Sequence, residues 1–220
     1  MAVLFCDFKE TGSRRKRGDE AVKALAIMGS PRIKMNTDRV IEKIIQGLKQ
    51  EEVFVEKIEL AKRKIEPCTA CGYCESTGLC IIRDDMTDLY KQFDESDIII
   101  VGSPLYFNSV TGITKIMIDR CQAFWSSKYI LQKPSIDRNR PRIGVFACTA
   151  GAPHQESDYI GATVVMDLFF RAINTEYLCN FFVDRTDQIF VGSRPDVLEN
   201  AVNLGQRLFK EAKIRIKHSI

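Results

Sequence analysis

No apolar run in this chain approaches the roughly 18 residues that cross a bilayer. Its first stretch, MAVLFCDFKE, has no basic n-region and turns acidic by Asp7, so it is a poor secretory signal. These two shortages predict a cytoplasmic protein with no membrane partner. Excess charge is missing too. The 32 Lys and Arg against 29 Asp and Glu leave +3, too even a balance for a chain devoted to nucleic acid. The one dense basic run, Arg14 to Arg17, lies in a polar stretch before any hydrophobic periodicity. It reads as a solvated arm, or as an arm wrapping a partner subunit. Internal repeats and low-complexity tracts are absent as well, so no repeat array is expected.

Cysteine, by contrast, is plentiful, with eight residues. In a reducing cytosol that number points to metal binding or redox chemistry rather than to disulfides. Cys6, Cys121, Cys148 and Cys179 are scattered, and Cys121 and Cys179 fall in apolar patterns where cysteine acts as a small hydrophobe. Cys68, Cys71, Cys74 and Cys80 fall within thirteen residues.

Strand and helix patterns alternate along the chain. Buried strands are predicted over Val22–Met28, Val53–Leu60, Asp97–Ser103, Arg142–Thr149 and Glu176–Asp184. Helices are predicted over 37–50, from Asp84 or Asp85 as cap, over 109–125, over 156–173 and over 194–214. Such alternation means right-handed crossovers and an α/β, doubly wound parallel sheet. Five strands fit the flavodoxin-like order 2-1-3-4-5, with a cysteine-rich insertion after the second strand. Residues 1–20 are expected as an N-terminal arm, flexible or oligomer-wrapping. Residues 21–220 are expected as a flavodoxin-like domain, with its cysteine loop at 65–83. Ligands of this fold meet the loops after the strands flanking the switch point.

Three of those loops carry chemistry. The first, Gly29 to Thr37, matches neither a dinucleotide fingerprint nor a P-loop. It offers Ser30, Arg32, Asn36 and Thr37 at a helix start, where free amides and the helix dipole attract phosphate. Charge-assisted hydrogen bonds contribute about 1.5–3 kcal/mol each. Several of them supply much of the roughly 8 kcal/mol that micromolar binding requires. An ordinary turn capped by Thr37 is the plainer alternative. The second loop, Ser103 to Gly112, places Tyr106 and Phe107 where a chain should turn polar. They suit a flat heteroaromatic ring, unless both pack under the next helix. The third, Cys148 to Gln155, is made of small residues that let a ligand approach the backbone. Together the loops fit a mononucleotide with a planar ring, such as FMN.

The segments GSPR…NT, PCTACGYC…C…DDM and SPLYFNSVTG…K…DR resemble the NADPH-dependent FMN reductase-like superfamily. Within it they are most similar to the iron–sulfur flavoproteins. The match covers about Ala26 to Arg120 well and the C-terminal half in outline. The resemblance implies bound FMN, a 4Fe–4S cluster on Cys68, Cys71, Cys74 and Cys80, and a homodimer or homotetramer. It assigns Ser30, Arg32, Asn36 and Thr37 to the FMN phosphate. Pro104, Leu105, Tyr106, Phe107 and Asn108 go to the ring, and Thr149, Ala150 and Gly151 to a third contact. The N-terminal arm is extra to the family pattern, and the third loop is less rich in glycine than is usual.

The cysteine spacing carries its own information. Overlapping C-x-x-C steps let successive sulfurs face one centre, and a more distant fourth cysteine closes the cage. Structural zinc sites usually pair two separate C-x-x-C knuckles over a longer spacer. The spacing therefore favours iron–sulfur over zinc, with uncoordinated thiols as the remaining alternative. Strand order places the loop at the same carboxyl edge as the flavin loops, to one side, and an oligomer is expected to bring a neighbour's flavin near it.

The function expected is an FMN- and 4Fe–4S-dependent oxidoreductase. Electrons pass from a one-electron carrier such as ferredoxin, or from NAD(P)H, through FMN to an acceptor. His154 in the third loop is the one candidate proton donor, against the ordinary reading of a surface histidine. Two alternatives stand beside it. One is an NAD(P)H-dependent FMN or quinone reductase with structural or zinc-bound cysteines. The other is a non-catalytic electron carrier.

Overall fold

Every residue of the strands Ile98–Pro104 and Arg142–Thr149 is buried. That is what a central parallel strand needs when helices cover both faces of its sheet. The computed structural model describes residues 2–6 and 21–218. Its strands are β1 (Ala2–Cys6), β2 (Lys23–Met28), β3 (Phe54–Glu59), β4 (Ile98–Pro104), β5 (Arg142–Thr149) and β6 (Thr175–Val183). Its α-helices are α1 (Asn36–Lys49), α2 (Tyr73–Thr77), α3 (Met86–Glu95), α4 (Gly112–Arg120), α5 (Gln122–Tyr129), α6 (Ile160–Ala172) and α7 (Pro195–His218).

The sheet order is β1-β6-β5-β4-β2-β3. The five strands from β2 onward are parallel to their neighbours and reproduce the expected 2-1-3-4-5 order. The sequence reading placed no strand before residue 22. Ala2–Cys6 nevertheless pairs antiparallel with β6, adding a sixth strand at that edge. Residues 7–20, with the basic run Arg14 to Arg17, lie outside the described residues. Among the described residues no helix is long and apolar enough to cross a membrane.

The helices divide the core in two. Apolar faces of α1 (Val40, Ile41, Ile44, Leu48) and α7 (Val197, Ala201, Leu204, Leu208) cover one side of the sheet. Residues of α3 to α6, among them Leu89, Phe93, Met117, Phe124, Met166 and Phe169, cover the other. One expected helix proves to be two. The pattern over 109–125 breaks at Cys121, whose N–H reaches back three residues to Ile118 and whose carbonyl accepts from Phe124. This tight turn ends α4 and sends α5 off against α2, beneath the cysteine loop.

Candidate functional site

The carboxyl ends of β2, β4 and β5 are tied together by short polar contacts. Gly29 donates its N–H to the Gly102 carbonyl at 2.7 Å. The Gly29 carbonyl accepts from the Thr111 hydroxyl at 2.6 Å. A Cβ on Gly29 would sit 2.0 Å from Thr114 Oγ1, so only glycine allows this approach. Across the same edge the hydroxyls of Thr37 and Thr149 meet at 2.7 Å, joining the start of α1 to the end of β5. The Leu105 N–H binds the Thr149 carbonyl at 2.8 Å.

Within this frame the first loop presents a helix start with no side-chain cap at Met35. The first-turn N–H groups of α1 are left to other acceptors, as an anion seat requires. Ser30 is buried and its Oγ accepts the Arg32 N–H, while the Arg32 side chain is exposed. Asn36 is committed elsewhere: its Oδ1 accepts the Val191 N–H at 2.9 Å and its Nδ2 donates to the Thr186 carbonyl. It is a strut between α1 and the loop after β6. Thr37 lies inside the helix rather than at its cap, because its hydroxyl is held by Thr149.

The second loop is a two-residue turn. Tyr106 and Ser109 exchange both backbone hydrogen bonds, and Phe107 and Asn108 take positive φ of 51° and 56°. Phenylalanine rarely adopts that conformation, which costs about 1–2 kcal/mol. The Phe107 ring is nevertheless fully exposed and Tyr106 is 43% exposed. The two rings do not pack under the next helix. Pro104 is buried at the end of β4, and Leu105 is partly buried against the core. In the third loop Ala150 is buried and bonded to Val183, and Gly151 lies against the Asp187 carboxylate. His154 Nδ1 lies 2.7 Å from the Ala152 carbonyl, which fixes an Nδ1–H tautomer. The loop after β6, with Thr186 and Asp187, was not among the expected site elements. It braces both the first and the third loop.

The four clustered cysteines form no disulfide with one another. All four line one recess of about 350 Å³, together with Gly72, Asp119, Arg120, Gln122 and Ala123. Ala70, Gly72 and Gly78 take left-handed backbone conformations that wrap the loop. Cys74 Sγ lies 3.4 Å from Ser126 Oγ of α5. The residues lining the recess include none from the three sheet-edge loops. Helix α4 begins beside those loops, where Thr111 caps it, and ends nine residues later at Arg120 in the recess. Its rise puts Thr111 and Arg120 about 13 Å apart along the axis. Among the described residues no three Cys, His, Asp or Glu side chains converge as a single-ion site.

A buried arginine clamps this loop, beside a backbone tie from Asp85 to Lys64. The side chain of Arg120 is fully buried. Its Nη1 donates to the Glu66 carbonyl at 2.8 Å and to Asp84 Oδ2 at 2.6 Å. Its Nη2 donates to the Ile82 carbonyl and to Asp84 Oδ1, both at 3.1 Å. The clamp thus grips the chain on either side of the four cysteines. Asp84 also accepts from the N–H groups of Glu66 and of Met86, the first residue of α3, whose N-cap is Asp85. Burial works against the Asp84 carboxylate, but Arg120 and the two N–H groups outweigh it and hold the carboxyl below its usual range. The signal for Arg120 was available: it follows Thr114 and Met117 at steps of three on the buried face of α4, where a charge requires a partner. Cys121 and Cys148 are different in kind, since burial pushes both thiols up and leaves them inert.

A groove of about 930 Å³ along α1 and β3 is lined mostly by charged side chains and contains none of the expected site residues. It is a solvated cleft in which Lys57 is already paired with Asp38 and Glu42.

The NADPH-dependent FMN reductase family model matches residues 22–156, which include the cysteine loop and the three loops of the sheet edge. The chain belongs to this family. An iron–sulfur flavoprotein of Archaeoglobus fulgidus is 39% identical over 99 residues, covering 45% of each chain. Another, of Methanocaldococcus jannaschii, is 30% identical over 149 residues, 67% of this chain and 71% of that one. The chain therefore spans less than half the length of the first relative and most of the second. A solved NAD(P)H:quinone oxidoreductase from Methanothermobacter marburgensis superposes with a TM-score of 0.66 at 17% identity, over 86% of this chain and 98% of that one. That likeness shows a shared fold.

Proposed function

We propose that this family member is a flavin-dependent oxidoreductase that binds FMN at the carboxyl edge of β2, β4 and β5 and a 4Fe–4S cluster in the cysteine recess. The observation that carries the flavin assignment is the loop at Phe107. A fully exposed aromatic ring is held in a strained turn, beside an uncapped helix start. Strain of this kind collects at ligand sites. The residues fit the group. The start of α1, with Ser30, Thr37 and Arg32, takes the phosphate. Tyr106, Phe107 and Asn108 take the ring, while Thr149, Ala150 and Gly151 close its other side. Asn36 positions that seat rather than forming it.

The donor set of the recess fits iron and sulfide. Four thiols share one wall and a buried cation lies behind them. Four thiolates around one zinc ion must crowd together at Zn–S distances of about 2.3 Å. A four-iron cage takes one thiolate per iron and spaces them more widely, which a recess lined by all four thiols can accommodate. When bound, such a cluster passes single electrons and the flavin handles one or two. The chain orients both groups and separates them along α4. A one-electron carrier such as ferredoxin, or NAD(P)H, is the electron source in this reading. His154, with its free Nε2, is the side chain placed to move a proton.

An oligomer is part of the same reading. Ile160, Val164 and Leu168 form an exposed stripe on α6, and Trp125 and Tyr129 of α5 are exposed as well. The stripe begins at the ring loop, since a Cβ on Gly161 would lie 2.4 Å from the Asn108 carbonyl. Apolar exposure of this extent marks an interface, and a second copy seated there would cover Phe107 and bring a neighbour's flavin towards the recess. Anaerobic purification with FMN, iron, sulfide and zinc analysis tests the assignment. One FMN and about four irons per chain are expected. Zinc in place of iron would leave a flavin reductase with a structural metal, and absence of flavin would overturn the function.

A further inference from the structure

Arg120 makes four hydrogen bonds to oxygen, yet its Nε is buried with no partner. A buried guanidinium N–H without an acceptor is costly, and in native structures such a group usually has a reason. Cys80 and Arg120 line the same recess. The Tyr90 hydroxyl donates to the Arg120 carbonyl at 2.7 Å, which locks the end of α4 to α3. The recess therefore has a charged, immobile wall. The other charged side chains lining it are acidic, Glu75 and Asp119, and Asp119 is paired with Lys115.

The geometry points to Arg120 as the residue that sets the reduction potential of the group the four thiolates hold, by keeping a permanent positive charge in the wall of the recess they line. This rests on the cluster assignment above and adds to it a positioning residue with an electrostatic task. One-electron reduction of the held group adds one negative charge to the recess. A fixed cation at the wall stabilises that added charge, and the low-dielectric interior strengthens the effect. Arginine suits the task because it stays protonated when buried. Asp84 is the counterweight. It lies bidentate on the far side of the guanidinium and offsets part of its field, so the two residues act on the potential with opposite signs.

The test is an anaerobic redox titration of the whole protein. Absorbance and electron paramagnetic resonance are recorded with iron and sulfide content for wild type, Arg120→Gln, Arg120→Lys and Asp84→Asn. Arg120→Gln is expected to lower the equilibrium constant for reduction at least tenfold, about 59 mV for a one-electron couple. Arg120→Lys keeps the charge and should stay within about threefold of wild type. Asp84→Asn should move the potential upward. A merely structural clamp predicts the same direction for Arg120→Gln and Asp84→Asn, since both loosen the loop, and that result would overturn the proposal. If Arg120→Gln does not hold iron, Asp84→Asn decides alone, and the absence of an upward shift refutes the role. A wild-type chain without iron sinks the cluster assignment itself. A wild-type chain with iron whose potential ignores these substitutions sinks only this inference.

Discussion

The candidate flavin edge and the cysteine recess are built in opposite ways. At the sheet edge proposed for the flavin many weak ties share the task. Glycine N–H groups, threonine hydroxyls and strand ends cross-link β2, β4, β5 and α1 among fully buried residues. In the recess the thiols are exposed or half-exposed, and the two ends of the loop are tied by one cluster of contacts. The first region is braced from many directions. The second is a strap closed at one buckle, where Arg120, Asp84 and Asp85 join its ends. A rigid seat suits a cofactor that must be oriented, and a wrapped loop suits a group whose iron and sulfide must enter before the cage closes.

Substitutions sharpen this contrast, and the largest effect belongs to the buckle. Arg120→Met leaves the Asp84 carboxylate facing an apolar chain and strips the Glu66 and Ile82 carbonyls of a donor. Removing one partner of such a pair costs about 3–5 kcal/mol. Hydrogen exchange should show residues 64–85 losing protection while the β4–β5 core keeps it. A global loss of protection in step with the loop would contradict the single-buckle description.

The flavin edge should yield less to any one change. Thr37→Val or Thr149→Val strands one buried hydroxyl, at about 1–3 kcal/mol each. The double variant should cost clearly less than the sum, because no hydroxyl is then left unpaired. Additive losses in a denaturation cycle would show that the two hydroxyls do not depend on each other.

Phe107→Gly separates strain from use. Relief of the left-handed backbone is worth about 1 kcal/mol, so the variant should unfold no earlier than wild type while its FMN affinity falls. Titration with FMN beside thermal melting checks both. Unchanged affinity would remove the ring from the site.

The smallest effect is a pH dependence. Asp84 has a folded pKa below its unfolded value. The stability it contributes is fully present above the unfolded carboxylate value, about 3.9, and is lost as pH falls through the lower folded value. Asp84→Asn should therefore flatten the stability curve in that acid window and change little of its slope near neutral pH. An unchanged acid slope would mean that other carboxylates carry the transition.

The parallel frame was legible because β4 and β5 are continuous apolar runs that only a covered parallel sheet accommodates. The flavin loops were legible because fold topology places them, and because Tyr106 and Phe107 stand where polar residues are normal. The bracing role of the Asn36 side chain was not legible, since the loop after β6 that occupies its amide is about 150 residues distant in the chain. Strand β1 escaped notice because five residues ahead of a charged stretch carry too little pattern. The division of the expected helix over 109–125 into α4 and α5 was missed for a physical reason. It depends on the turn at Cys121, a tertiary choice that helical periodicity runs straight through.

The central claim is that one chain carries two separately built electron sites. The most direct measurement is cofactor content of Cys71→Ser purified without oxygen beside wild type. The account predicts that iron and sulfide fall away while one FMN per chain is bound as tightly as before. Flavin lost along with iron, or iron retained in full, would contradict it.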